Sequence, residues 1–355
     1  MKLALFRVDG SLRLGMGHIM RCLAFAEGLK NIGIKSLFVI KDYEQNVDKT
    51  IKQCGFKVMG FPNDYSSARD AQFTIKVAVQ HNASILIADL AHTDNMNMNI
   101  QYNQYFESLL TINKFTIAID DFVGLDLPFD IRVIPYYGAE SNGYKAPAKT
   151  KLLLGAKYFI FKQEFLEAAN VQRKIKPVVE NILVTMGGSD PFGLTAKFLK
   201  VINCLDTSLL NIRVLIGPAF SIQAKTMIQK ELSNFKGRAE TISNRLEMAD
   251  LLLWADIALT AGGLTKYEAA VTGTPSVAIA PFNREAEMGK KFSRAGTNLY
   301  LGSTDTVNEI DILQAIKKLI KDHVWRMEMS ESGKALLDCK GIERIISEIP
   351  PVLLN

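Results

Sequence analysis

Two consecutive doubly wound α/β domains are the fold class this sequence predicts, and three observations predict it. The chain has 355 residues, more than one hydrophobic core usually organises, so two domains are the natural expectation. Short apolar runs alternate with amphipathic stretches along the chain, the pattern of strands separated by helices in a parallel sheet. A polar stretch near the middle interrupts that alternation, which then restarts.

Residues 3–8 read as a buried strand, followed by a glycine-bearing loop over 9–17. Over 18–30, Ile19, Cys22, Leu23, Ala26 and Leu29 recur at the helical period. Further strands are expected at 36–40, 84–88, 115–119 and 131–135. Two of them run into aspartates: Asp89, then Asp120 and Asp121. The polar interruption spans 168–181 and carries Lys174, Lys176 and Pro177, which sets the domains at 1–172 and 173–355. The second half reads as strands at 182–186, 213–216, 257–260 and 276–280. Its helices are expected at 193–205, 244–254, 264–272 and 283–295, with a helical tail over 310–346. Two such sheets can turn the carboxyl ends of their strands toward one cleft.

Composition narrows the function classes. Hydrophobic residues make up 48% and charged residues 22%, as in ordinary soluble proteins. No apolar stretch reaches the roughly 18–20 residues of a membrane span. Arg7 interrupts the start too early for a signal-peptide core, so a cytoplasmic protein is expected. A net charge of +5 with no basic block suits a small anionic ligand rather than nucleic acid. Cys22, Cys54, Cys204 and Cys339, with His18, His81, His92 and His323, lack metal-ligand spacing. Neither a metal nor a cofactor is expected. A nicotinamide cofactor is set aside because Met20 stands where the dinucleotide fingerprint needs glycine.

Three glycine turns fall between a strand and a helix: Gly15-Met16-Gly17, Gly187-Gly188 with Ser189, and Gly262-Gly263. Backbone without Cβ atoms approaches a ligand closely, and a helix start offers N–H groups to an anion. His18 opens the first helix directly after Gly17. The positive helix end favours the neutral imidazole there, a competent general base; a helix cap is the plainer alternative. Arg21 lies one turn on along the same face, for a phosphate or for Asp9. Asp89, Asp120 and Asp121 either line a site or cap the turns that follow. Thr265 and Glu268 follow Gly262-Gly263. A carboxylate there accepts hydrogen bonds from a ribose diol, or simply complements a helix start. Asn283 caps the next helix or reaches substrate.

Taken in order, these motifs resemble the PseG/SpsG-like family of UDP-sugar hydrolases and spore-coat polysaccharide proteins. Arg7-Val8-Asp9-Gly10 followed by Gly15-Met16-Gly17-His18-Ile19-Met20-Arg21-Cys22 is similar to its N-terminal signature. Leu152 to Tyr158 with Glu164-Phe165, Val184 to Pro191, and Ala255 to Pro275 resemble its later segments, so the similarity spans residues 3–302. The resemblance implies a GT-B architecture and a UDP-linked amino sugar of the 2,4-diacetamido-2,4,6-trideoxyhexose type. It also implies metal-free, inverting hydrolysis with His18 as base, in surface polysaccharide or nonulosonic acid biosynthesis such as that of pseudaminic acid. Asp9, Gly15, Gly17, Arg21, Asp89, Gly187, Gly188, Ser189, Gly262, Gly263, Thr265, Glu268 and Asn283 are its implied substrate or nucleotide contacts. An inverting glycosyltransferase and a non-catalytic nucleotide-sugar binding protein are the alternatives on the same fold. Ala91, Leu264 and Arg284 depart from the hydrolase pattern, at positions expected on the sugar side.

Overall fold

The computed structural model describes residues 2–10, 16–42, 47–90, 96–119, 127–243, 245, 247–280 and 286–354, with 42, 96–102 and 286 described by backbone alone. Two parallel α/β sheets organise them.

The first unit runs β1 (Leu3–Val8), α1 (Gly17–Asn31), β2 (Lys35–Asp42), α2 (Val47–Gln53), β3 (Lys57–Pro62), α3 (Ser67–Gln80), β4 (Ile85–Asp89) and α4 (Met96–Leu110). It continues through β5 (Phe115–Ile119), β6 (Ile131–Ile134) and β7 (Lys151–Leu154). The strand order is β3-β2-β1-β4-β5-β6-β7, all parallel. Alternate residues of β1 serve two cores. Ala4, Phe6 and Val8 pack with α1, while Leu5 joins Leu37, Val39 and residues of α3 and α4. A strand covered on both faces reads as a continuous apolar run, which is why β1 is visible in sequence. On α1, the predicted apolar stripe of Ile19, Cys22, Leu23, Ala26 and Leu29 is buried, and Arg21 is buried with it.

The second unit opens with α5 (Gln163–Ala169), β8 (Asn181–Thr185), α6 (Leu194–Ile202), β9 (Asn211–Ile216), α7 (Ile222–Leu232), β10 (Arg238–Ser243) and α8 (Ala249–Trp254). Then come β11 (Ile257–Ala261), α9 (Thr265–Val271), β12 (Ser276–Ala280), α10 (Ala286–Arg294), β13 (Leu299–Ser303), α11 (Glu309–Lys321) and α12 (His323–Leu336). Its strand order is β10-β9-β8-β11-β12-β13, again all parallel. Two short helices, α13 (Gly341–Ser347) and α14 (Pro351–Leu354), finish the chain.

The division of the chain differs from the expected boundary at 172/173. One unit comprises Met1–Ile160 with Lys340–Asn355, the other Phe161–Cys339. The polar stretch at 168–181 is not a linker, because its polar groups are used inside the second unit. Arg173 donates to the carbonyls of Leu252 and Ala255 and to the Thr274 hydroxyl, closing the end of α8. The tail returns to the first unit because its apolar face fits there. Ile345 and Ile349 are buried in the core around α1, and Ile342 lies against Gly28, where a Cβ would come within 2.4 Å of its methyl.

Candidate functional site

In a doubly wound sheet the strand order reverses at one place, and ligands bind beyond the carboxyl ends of the strands there. In the first unit that place lies between β1 and β4, where Val8 pairs with Asp89. Helix α1 starts beside it and brings His18 and Arg21, one turn apart, onto Asp89. His18 Nδ1 lies 2.6 Å from Asp89 Oδ1. Arg21 donates Nη2 to Oδ1 at 2.6 Å and Nε to Oδ2. The Cys22 thiol approaches Oδ2 at 3.4 Å, and Arg21 Nη1 donates to the Tyr136 hydroxyl.

The chemistry of the partners assigns the imidazole proton. Asp89 is completely buried. Burial alone would push its carboxyl up, but the Arg21 guanidinium, with His18, holds it well below the usual carboxylate range. Asp89 is therefore an acceptor only, so Nδ1 is the nitrogen that carries hydrogen. The 3.1 Å approach of Arg21 Nη2 to the same Nδ1 follows from both groups sharing Oδ1. This tautomer leaves Nε2 as the basic nitrogen, on a side chain that stays 17% exposed. Asp89, a candidate contact in the sequence, bonds both His18 and Arg21.

Arg21 was open to pairing with Asp9, but Asp9 is taken by a different network. Arg7, 1% exposed, grips Asp9 at 2.6 and 2.8 Å and Asp70 at 2.6 and 2.9 Å. Tyr105 donates to Asp70 at 3.0 Å, and the Lys41 amide donates to Asp9 at 2.9 Å. Asp9 thus ties β1 to β2. Gly17 is the first residue of α1. Gly15, Asn283, Asp120, Asp121, Ala91 and Arg284 lie outside the described residues.

In the second unit the reversal lies between β8 and β11, paired through Thr185 and Thr260. Both glycine turns of that half follow these strands. Gly187 has φ +74°, and a Cβ on Gly217 would come within 2.4 Å of the carbonyls of Gly187 and Gly188. The expectation that α6 offers an anion its first N–H groups needs correction. The Asp190 carboxylate already accepts from Leu194 N and Thr195 N at 2.8 Å each. Ser189 is buried beside it.

The second turn is tighter. Gly262 donates to Ile279 O at 2.8 Å, and a Cβ on Gly262 would stand 2.8 Å from Ala280 Cα. A Cβ on Gly263 would meet only open space. Lys266, 4% exposed, donates its ammonium to Gly262 O, and Thr265 is buried at the start of α9. Glu268 is partly buried one turn on. Burial pushes its carboxyl up to about 7, with Glu164 adding to the rise while Lys162 and the Thr265 hydroxyl oppose it. Glu164 itself caps α8, accepting from Met248 N at 2.8 Å and Ala249 N at 2.9 Å.

Sequence reasoning missed Tyr136, Lys266 and the capping role of Asp190. Tyr136 carries one usable signal, its place two residues beyond the end of β6.

No protein-family model matches the chain. Among curated proteins it is 25% identical over 342 residues to the spore coat polysaccharide biosynthesis protein SpsG of Bacillus subtilis, covering 95% of this chain and 94% of that one. It is 27% identical over 289 residues to the uncharacterised protein MJ1062 of Methanocaldococcus jannaschii, covering 79% of this chain and 55% of that one. The chain thus spans about half the length of the archaeal relative. Solved structures of similar fold include the following three. MnaA of S. aureus, solved with UDP, superposes with a TM-score of 0.67 at 14% identity over 99% of this chain and 97% of that one. MurG of Acinetobacter baumannii gives 0.66 at 13% over 98% and 99%. The spinosyn rhamnosyltransferase SpnG, solved with thymidine diphosphate, gives 0.65 at 13% over 98% and 100%. The fold is that of GT-B enzymes.

Proposed function

We propose that this chain, a homologue of SpsG on a GT-B fold, is a nucleotide-sugar enzyme of polysaccharide biosynthesis that hydrolyses a UDP-linked amino sugar. The observation that carries the reading is the buried Asp89 carboxylate fixing the Nδ1–H tautomer of His18. Nε2 then takes a proton from water as the water oxygen attacks the anomeric carbon. The bond from that carbon to the phosphate oxygen breaks on the opposite face, and UDP leaves with the bonding electrons. The anomeric configuration inverts. UDP is a good leaving group, so charge stabilisation by backbone N–H groups serves it better than a second carboxyl acid would. The nucleotide is assigned to the second unit, with Glu268 for the ribose and the Gly187–Gly188 and Gly262–Gly263 turns for the diphosphate.

Glycosyl transfer is the second reading, favoured by the likeness to SpsG, a spore coat polysaccharide biosynthesis protein. The same base deprotonates a sugar hydroxyl as readily as water. One experiment separates the two. The protein is incubated with UDP-2,4-diacetamido-2,4,6-trideoxyhexoses and related UDP-sugars, and the products are followed by NMR. UDP and a free sugar of inverted configuration, formed without an acceptor, support hydrolysis. UDP release only when an acceptor is added supports transfer. Binding with no turnover under either condition sinks both.

A further inference from the structure

Besides a long contact from Nη2 to the Ile119 carbonyl at 3.5 Å, Arg21 is held on two sides. Its Nε and Nη2 engage both oxygens of Asp89, and its Nη1 donates to the Tyr136 hydroxyl. A guanidinium is a flat fork, and two bonds to one carboxylate fix its plane but leave it free to rock about that carboxylate. A third bond, on the far side of the fork, stops the rocking. Tyr136 can provide it because its own segment is pinned. Its carbonyl accepts from Ala139 N at 3.1 Å, where Gly138 turns the chain with φ +80°. Arg132, buried on β6, donates Nη1 to Lys145 O at 3.1 Å. The Glu140 carboxylate lies on Gly155, where a Cβ would fall 1.8 Å from Oε1. β6 is two strands from β4, a lateral step of roughly 10 Å, which the Arg21 and Tyr136 side chains span together.

We propose that Tyr136 is a positioning residue for His18: by holding the third edge of the Arg21 guanidinium it keeps that cation on Asp89, and so keeps Asp89 oriented as the acceptor for His18 Nδ1–H. Tyr136 acts through Arg21 and touches no reacting atom. The consequence for activity rests on the function proposed above, whereas the consequence for the imidazole does not.

The test reads the imidazole directly. The full chain is labelled with ¹⁵N in its four histidines, and the His18 signals are assigned by their loss in His18→Asn. In the wild type a single Nδ1–H tautomer is expected, with slow exchange of that proton. Tyr136→Phe keeps the ring and removes the acceptor. It should speed exchange of the Nδ1 proton about tenfold or more and bring up the Nε2–H tautomer, as a loosened contact would. Tyr105→Phe, which removes a buried hydroxyl from Asp70 in the same unit, should leave His18 as in the wild type. Wild-type exchange and tautomer in Tyr136→Phe overturn the proposal, and so does an equal change in Tyr105→Phe. On a UDP-sugar that turns over, Tyr136→Phe should lower kcat about tenfold with UDP affinity within about twofold. If no UDP-sugar turns over, the hydrolase reading fails while the imidazole spectra still decide the role of Tyr136.

Discussion

The strand order reverses between β1 and β4 in the first unit and between β8 and β11 in the second. The two places share a topology and differ in chemistry. At the first, side chains dominate: an imidazole, a guanidinium and a carboxylate locked together by hydrogen bonds. At the second, the backbone dominates: two glycine turns pressed against neighbouring strands, with Glu268 beside one of them. The difference teaches that the fold supplies a place rather than a reaction. A place made of oriented side chains suits proton transfer. A place made of bare backbone suits a ligand that must come close.

The sharpest way to break this contrast is to remove the base. His18→Asn cannot accept a proton near neutral pH and should lose about 10²–10⁴-fold in kcat. UDP affinity by calorimetry should be nearly unchanged, because the nucleotide is assigned to the other unit. Turnover near the wild-type rate would falsify the mechanism, and a parallel loss of UDP binding would make His18 a ligand contact.

The next effect is on stability. Asp89→Asn strands a buried guanidinium without its counter-charge, which costs about 3–5 kcal/mol. Urea unfolding of the variant measures it. The Asp89 carboxyl is depressed in the folded state. Its contribution is therefore complete above the usual carboxylate range and shrinks as the pH falls below it. The gap between wild type and Asp89→Asn should close in acid, and a gap that stays constant would show that charge is not its cause.

The glycine turns respond to size instead. Gly262→Ala places a methyl against the backbone of Ala280, so a loss of about 1–3 kcal/mol is expected. Gly263→Ala meets open space and should leave the unfolding midpoint unmoved while weakening UDP binding. Equal midpoints for the two variants would remove the close approach as the reason for Gly262.

The last effect is graded by pH. Glu268→Ala should weaken uridine binding by about 1–3 kcal/mol if the carboxylate holds the ribose. Uridine is the better probe because it has no phosphate to titrate. With the carboxyl pushed up to about 7, wild-type affinity should rise as the pH passes from 6 to 8, whereas Glu268→Gln should stay flat. Stability runs the other way. A raised carboxyl contributes fully below its unfolded value, and that contribution is lost as the pH climbs through about 7. A flat wild-type uridine profile would take Glu268 out of the ribose site.

How much of this was legible follows from which strands are covered on both faces. The interior strands β1, β2, β4, β5, β6, β8, β9, β11 and β12 all stand where apolar runs predicted them. The strands that escaped notice, β3, β7, β10 and β13, are the two edges of each sheet. Five of the six residues of β10 are exposed, and β3 ends in Pro62. β10 is polar, as edges that discourage pairing with other chains are; β3 and β13 keep apolar residues but are interrupted by Gly60 and Gly302, and β7 keeps Leu152, Leu153 and Leu154 but is only four residues long. The site follows the same logic. Gly187 and Gly262 are local features, one at a positive φ and one at a close approach to Ala280, whereas His18 showed in sequence only its place at the start of α1. The grip of Asp89 on Arg21, and of Arg7 on Asp9, joins residues far apart in sequence and needed the sheet order before it could be read. The Asp190 cap, by contrast, is local, and its Asp-x-x-x-Leu-Thr spacing went unused.

The return of Lys340–Asn355 to the first unit bears on how the molecule is made. On the ribosome, everything from Phe161 to Cys339 emerges before Ile345 does. The second unit can therefore close its core while the first still lacks Ile345 and Ile349 beneath α1. The half that carries His18 is thus synthesised first and finished last. A chain cut back to Cys339 keeps every core residue of the second unit, Ile312 and Met329 included, and leaves α1 without Ile345 and Ile349, with the proposed base present in sequence and not yet secured in place.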